Sequence, residues 1–193
     1  MIERVCVYCA SSSMVDDEYK RQAFRLGEIL AENNIETKFG SGSVGLMGEL
    51  SNGVLSKKGR IVGVIPQFMV DEGWGNEKVT RQIVTSSMHE RKKIMAEGID
   101  AAIALPGGCG TMEELMEIIT WKQLGLFNKP IIIMNVRHFY DDLLRMMTKI
   151  VNENFMRKEH LSMWSVVSDA SEVLEAINQA PAWLTNARNI AAI

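Results

Sequence analysis

A chain of 193 residues with 47% apolar and 23% charged side chains can close a core, which excludes intrinsic disorder and fits one domain of the usual ~100–200 residues. Its 21 basic and 24 acidic residues leave a formal charge of −3, and without a dense basic patch this argues against a protein built to hold nucleic acid or an anionic membrane. Apolar runs fall far short of the ~20 residues of a membrane span, charges occupy the start of any secretory leader, and three cysteines are too few for a disulfide scaffold; a cytoplasmic, reducing setting is expected.

In chain order, residues 5–8 (VCVY) open a buried strand that ends in the serine-rich turn 9–13. Residues 17–33 carry Ala23, Phe24, Leu26, Ile29 and Leu30 at helical spacing, with Asn33-Asn34 as the stop. A second strand ends at Lys38-Phe39, ahead of the turn Gly40-Ser41-Gly42, and residues 46–57 form the next helix, ended by Gly59. Residues 61–65 (IVGVI) are a third strand, and 71–76 (DEGWGN) a loop. A helix over 89–97 precedes the strand 99–105, and a helix over 111–124 precedes the strand 131–134. Helices over 140–152 and 171–179 enclose a late strand at 163–167, and the residues after Pro181 form a tail. Continuous apolar runs alternating with amphipathic helices specify an α/β fold: a Rossmann-like, open, mostly parallel sheet with helices on both faces. No internal repeat or linker divides the chain, so a single domain over 1–193 is expected, with 181–193 as its tail.

Ligands of such sheets bind beyond the carboxyl ends of the strands. Four segments should meet there: 9–13, 40–48, 88–92 and 106–114. Pro106-Gly107-Gly108-Cys109-Gly110-Thr111 joins a strand to a helix. Its glycines permit close backbone approach, and the free N–H groups of the helix start suit a phosphate. Thr111 can cap that helix or offer its hydroxyl to a phosphate oxygen. The turn 40–48 is a second site of this kind, and no Walker lysine-serine pair follows it. Projected at about 100° per residue, the helix after the first of these turns puts Met112, Leu115, Met116 and Ile119 on its sheet side. Glu113, Glu114, Glu117 and Trp121 then share the other side. Arg91, in Met88-His89-Glu90-Arg91-Lys92, can fork onto phosphate oxygens or order a carboxylate. Cys6 and Cys9 form a C-x-x-C without a second pair, so no zinc site is expected, and Cys109 has no base partner in the sequence.

Together these segments resemble the Lonely Guy family, the cytokinin riboside 5′-monophosphate phosphoribohydrolases. Pro106 through Glu114 matches the family's PGGxGTxxE, residues 40–48 its GGGxxGLMG, and 88–92 its M-H-x-R-K. VCVYCASSS and ITWKQLGLFNKPI are similar to its first strand and to the end of its signature helix. The likeness runs over roughly residues 3–180. It implies hydrolysis of the N-glycosidic bond of a purine or cytokinin nucleoside 5′-monophosphate, releasing free base and ribose 5-phosphate, as in an AMP nucleosidase. Arg91 and Glu114 would be the catalytic pair. Gly107, Gly108, Cys109, Gly110 and Thr111 would cradle the phosphate. Ser12, Gly42, Met88, Lys92, Glu113 and Thr120 would be further substrate contacts, with Glu72 from the loop. The resemblance implies a homodimer or larger homo-oligomer, a small-molecule substrate, and no cofactor; nothing resembles a pyridoxal-phosphate site. Ser41 replaces the middle glycine of the family's GGG, which suits a residue held at negative φ. The alternative reading is a non-catalytic nucleotide-binding or carrier module on the same sheet. A dehydrogenase would carry an acidic residue at the end of the second strand, where Lys38-Phe39-Gly40-Ser41 stands.

Overall fold

A computed structural model of the protein describes residues 2–183. The elements follow in the order β1 (Arg4–Tyr8), α1 (Asp17–Glu32), β2 (Glu36–Phe39), α2 (Gly45–Ser56), β3 (Ile61–Pro66), α3 (Gln67–Asp71) and β4 (Arg81–Thr85). They continue with α4 (Met88–Ala96), β5 (Ala101–Ala104), α5 (Cys109–Gln123), β6 (Ile131–Met134), α6 (Asp141–Asn152), β7 (Ser165–Val167) and α7 (Val173–Gln179). Seven strands form one sheet in the order β4-β3-β2-β1-β5-β6-β7, and every pairing is parallel. The order reverses beside β1, between β2 and β5, so the crevice for a ligand opens above β1.

Alternate residues of β1 feed two cores, as a strand covered on both faces must. Val5 and Val7 pack with Leu26, Leu30, Leu50 and Val54 of α1 and α2. Cys6 and Tyr8 pack with Met95 of α4, Leu115 and Ile118 of α5, and Met147 of α6. No described helix is long and apolar enough to cross a membrane.

Two strands escape a search for apolar runs. In β2 (ETKF), Thr37 and Lys38 are buried. Lys38 reaches across to donate from Nζ to the carbonyls of Ile94 (3.0 Å) and Glu97 (2.6 Å) at the end of α4. That contact secures the helix that carries Arg91. β4 (RQIVT) is an edge strand with only Thr85 buried, so its pattern lacks the continuous apolarity of its neighbours. The late strand is shorter than its apolar run, Ser165–Val167. Of the tail after Pro181, residues 184–193 lie outside the described residues. Trp183 is buried, and its indole N–H donates to the Lys122 carbonyl at 2.7 Å.

Candidate active site

The segments following β1, β2, β3 and β5 converge with the start of α4 around a cleft of about 770 Å³. Its floor at the reversal point is polar. Cys9, Ser11 and Ser12 come from the turn after β1, and Gly108, Gly110 and Thr111 from the turn after β5. Two helices start here without a side-chain cap: α2, preceded by Val44, and α5, preceded by Gly108. By contrast α4, which begins outside this floor, is capped by Ser87 Oγ, which accepts from the Glu90 amide at 3.2 Å. The first-turn amides of α5 form an anion seat beside the cleft, whereas in the first turn of α2 the Met47 amide already donates to the Ala10 carbonyl at 3.1 Å.

Thr111 does not cap α5, because the helix begins two residues earlier at Cys109. It is buried, and its hydroxyl lies where a side chain on Gly107 would be, with an added Cβ only 2.1 Å from Oγ1. Residue 107 must therefore be glycine for Thr111 to sit under the turn.

Ser41 departs from the sequence expectation: its φ is +63°, in the left-handed region that disfavours a side chain by ~1–2 kcal/mol. Gly63 of β3 makes room for it. A Cβ at residue 63 would stand 2.2 Å from Ser41 Oγ. The adjacent Gly40 is required for another reason, since a Cβ there would lie 2.2 Å from Arg91 Nη2.

Arg91 and Glu114 meet in the middle of the cleft wall, each 6% exposed. Arg91 uses all its edges: Nε donates to the Val64 carbonyl at 3.0 Å, Nη2 to the Gly40 carbonyl at 3.4 Å, and Nη1 to Glu114 Oε1 at 3.1 Å. Strand β3 and the turn after β2 thus fix the guanidinium, and it in turn fixes the carboxylate. Burial pushes the Glu114 carboxyl up to about 7, with Arg91's charge and hydrogen bond opposing that rise and the nearby Glu113 charge adding to it. A carboxyl that titrates near neutrality is suited to proton transfer and to facing positive charge.

The helical projection of α5 misplaces Glu114. It lies on the inward side with Thr111, Leu115, Ile118 and Lys122, while Trp121 is half-buried. Polarity alone assigns a glutamate outward; Arg91 makes the inward position affordable.

Of the residues singled out in the sequence, Ser12, Gly42, Met88 and Arg91 line the cleft, as do Gly108, Gly110, Thr111 and Glu114. Gly107 supports the turn from behind. Cys109, Glu113 and Thr120 are exposed on α5 outside the lining, and Thr120 Oγ1 donates to the Met116 carbonyl at 2.8 Å. Lys92 is turned away, bridging α4 to α5 through Glu113 (2.8 Å) and Glu117 (3.2 Å). Glu72 is exposed at the end of α3 and is not part of the lining. Cys9 is buried on the floor, and burial raises its thiol well above the ordinary range, which leaves it protonated and a poor nucleophile.

The residues singled out in the sequence leave out the apolar part of the lining: Val44 and Met47 of the α2 start, Ile65 of β3, Met69 of α3 and Trp74. The signal was a tryptophan between two glycines in DEGWGN, an exposed aromatic where a plain turn needs none.

A family model described as possible lysine decarboxylase matches residues 47–177. The chain is 40% identical over 176 residues to a cytokinin riboside 5′-monophosphate phosphoribohydrolase of Arabidopsis thaliana, covering 91% of this chain and 83% of that relative. A second enzyme of that name from Arabidopsis thaliana is 43% identical over 154 residues, 80% of this chain and 72% of the relative. A probable one from Oryza sativa subsp. japonica is 39% identical over 176 residues, 91% of this chain and 78% of the relative. Among solved structures, the molybdenum cofactor carrier protein of Chlamydomonas reinhardtii superposes with a TM-score of 0.71 at 19% identity, covering 93% of this chain and 98% of that one. The molybdenum cofactor binding protein of Rippkaea orientalis gives 0.69 at 22% identity, with 92% and 96% covered. These two likenesses are of fold. The decarboxylase description finds no support in the cleft: pyridoxal chemistry needs a lysine for its Schiff base, and none of the lining residues is lysine.

Proposed function

The chain belongs to the Lonely Guy family of cytokinin riboside 5′-monophosphate phosphoribohydrolases, and from that membership and the cleft's geometry we propose that it hydrolyses the N-glycosidic bond of a purine nucleoside 5′-monophosphate, with a cytokinin nucleotide as substrate. One observation carries the reading: a buried Arg91–Glu114 pair, 3.1 Å apart, lines one cleft together with the uncapped start of α5 and a set of apolar side chains. A nucleotide needs the same three parts, for its anomeric carbon, its phosphate and its base.

The amides of Gly108 and Gly110 and the Thr111 hydroxyl bind the 5′-phosphate, assisted by Ser12 and Gly42 across the cleft. The bond from the base nitrogen to C1′ breaks with its electron pair leaving on the base. Positive charge gathers on the ribose, and the Glu114 carboxylate facing it lowers the barrier. Water attacks C1′ and surrenders a proton to Glu114, Arg91 offsets negative charge on the departing base, and the proton passes on to the base nitrogen, which returns Glu114 to its carboxylate form. The products are ribose 5-phosphate and free base.

Ribose 5-phosphate should appear from nucleoside 5′-monophosphates and not from the matching nucleosides, as a chromatographic assay over both panels would read. Equal rates from nucleosides would remove the phosphate seat from the mechanism. The carboxylate form is the active one, so kcat/KM should climb as pH rises through about 7 and level off above it. A profile flat between pH 5 and 9 would contradict Glu114 as the titrating group.

We further read the protein as a cytoplasmic homodimer or larger homo-oligomer acting on a small molecule. Leu124 and Leu126 beyond α5 and Met146 on α6 are 43%, 61% and 55% exposed, apolar surface of the kind a second subunit covers. Light scattering of the purified protein measures that mass.

A further inference from the structure

The helix that presents Arg91 has a thin apolar seat: of the nine residues of α4 only Arg91 and Met95 are buried. Beyond Ala96 the chain leaves the helix at once, with Glu97 at ψ 129° and Gly98 at φ +67°. The last carbonyls of α4 therefore need donors from elsewhere, and a central strand supplies one. Lys38 of β2 pairs in register with Cys6 of β1 and Val62 of β3, inside a sheet covered on both faces, where an apolar side chain is the rule. Its ammonium ends instead at the carboxyl end of α4 and donates to the carbonyls of Ile94 and Glu97, at 3.0 and 2.6 Å. A cation there complements the helix dipole. Ile94 follows Arg91 by three residues, about 4.5 Å along the axis, so the clamp acts within one turn of the guanidinium. The Arg91 contact to the Gly40 carbonyl, at 3.4 Å, already lies at the long end of hydrogen bonding. A small slide of α4 would release it.

We propose that Lys38 is a positioning residue for the reaction: by holding the carboxyl end of α4 it sets where Arg91 enters the cleft wall and, through Arg91, where the Glu114 carboxylate stands. This rests on the hydrolase reading above. Lys38 itself lies outside the cleft lining. The groups around its ammonium are Arg4 and Cys6 of β1, Glu36 of β2 and Glu97 at the end of α4. Glu114 responds chiefly to Arg91 and Lys92 of α4 and to Glu113 beside it, with Cys6, Tyr8 and Cys9 facing it from β1 and the turn that follows. Strands β3 (IVGVIP) and β5 (AAIA) bring no titratable side chain. Loss of the Lys38 ammonium therefore reaches Glu114 by way of the place that Arg91 takes.

The test compares wild type with Lys38→Met, which keeps an unbranched stem but has no donor, and Lys38→Arg, which keeps charge and donors. In Lys38→Met, kcat on the preferred nucleoside 5′-monophosphate should fall about tenfold, the calorimetric Kd for ribose 5-phosphate should change less than about threefold, and the acid limb of kcat/KM should move up by about half a pH unit. Lys38→Arg should return kcat to within about fivefold of wild type. Carbon-detected NMR of the free protein reads the Glu114 carboxyl itself, and its midpoint should rise in Lys38→Met as the limb does. Ile177→Ala is the control for lost stability alone: buried in α7 against β6 and β7, on the side of the sheet away from β3 and β4, it should lower Tm and leave kcat and limb in place. A limb and midpoint unmoved in Lys38→Met overturn the proposal, whatever the rate. So does a Lys38→Arg variant that loses as much as Lys38→Met. Where Lys38→Met does not fold, Lys38→Gln is judged by the same limb and midpoint. Wild type that hydrolyses no nucleotide removes the hydrolase reading alone, because the Glu114 midpoint still decides whether Lys38 positions it.

Discussion

Glu114→Gln should lower turnover by about 10²–10³-fold while AMP affinity changes by less than about threefold. The amide is close in size and can still accept the Nη1 hydrogen bond that Arg91 now gives at 3.1 Å, so the cleft keeps its shape. What disappears is the negative charge facing C1′ and the group that takes a proton from water. Because the proposed phosphate seat draws on the backbone after β5 and the serines after β1, binding stands apart from this residue. Rapid quench for ribose 5-phosphate and calorimetry for AMP read the two quantities independently. Full turnover in Glu114→Gln would remove the mechanism and leave a binding module.

Replacing Arg91 should be as damaging by another route. Arg91→Ala removes the three hydrogen bonds to Val64, Gly40 and Glu114 and leaves a buried carboxyl without its cation. Stranding an ionised buried partner costs about 3–5 kcal/mol, a cost the carboxyl escapes by retaining its proton. Arg91's charge is the main influence that lowers the Glu114 carboxyl against its burial. Its removal should therefore move the acid limb of the kcat/KM profile above the wild-type position near 7, with turnover down by about 10²-fold or more at neutral pH. Arg91→Lys keeps charge but cannot present the planar fork to three acceptors on β3, on the turn after β2 and on α5. It should recover the position of the acid limb better than the rate. An unshifted limb in Arg91→Ala would dissociate the two residues.

Much of this protein is written locally. The apolar runs of β1, β3, β5 and β6 and the periodicity of α1 and α6 declare themselves because strand and helix burial repeat at short, fixed intervals. The glycine turns before α2 and α5 are equally legible, since close approach of backbone leaves no residue but glycine. The resemblance to the family's motifs singles out Arg91 and Glu114. The same periodicity fails for β2, where Lys38 is buried by reaching carbonyls 56 and 59 residues away, and for β4, which lies at the sheet edge and buries only Thr85.

Tertiary structure decided the rest. A projection of α5 counts Glu114 as polar and turns it to water; in the fold a guanidinium from α4 draws it inward, where burial raises its carboxyl to about 7 against the lowering effect of that cation. Ser41 at φ +63° is permitted only because Gly63 lies opposite. Trp74 acquires meaning from the cleft beside it. Sequence records which residues are polar and how they are spaced, whereas burying a charge or a strained side chain depends on the energy of partners that only chain folding brings within ångströms.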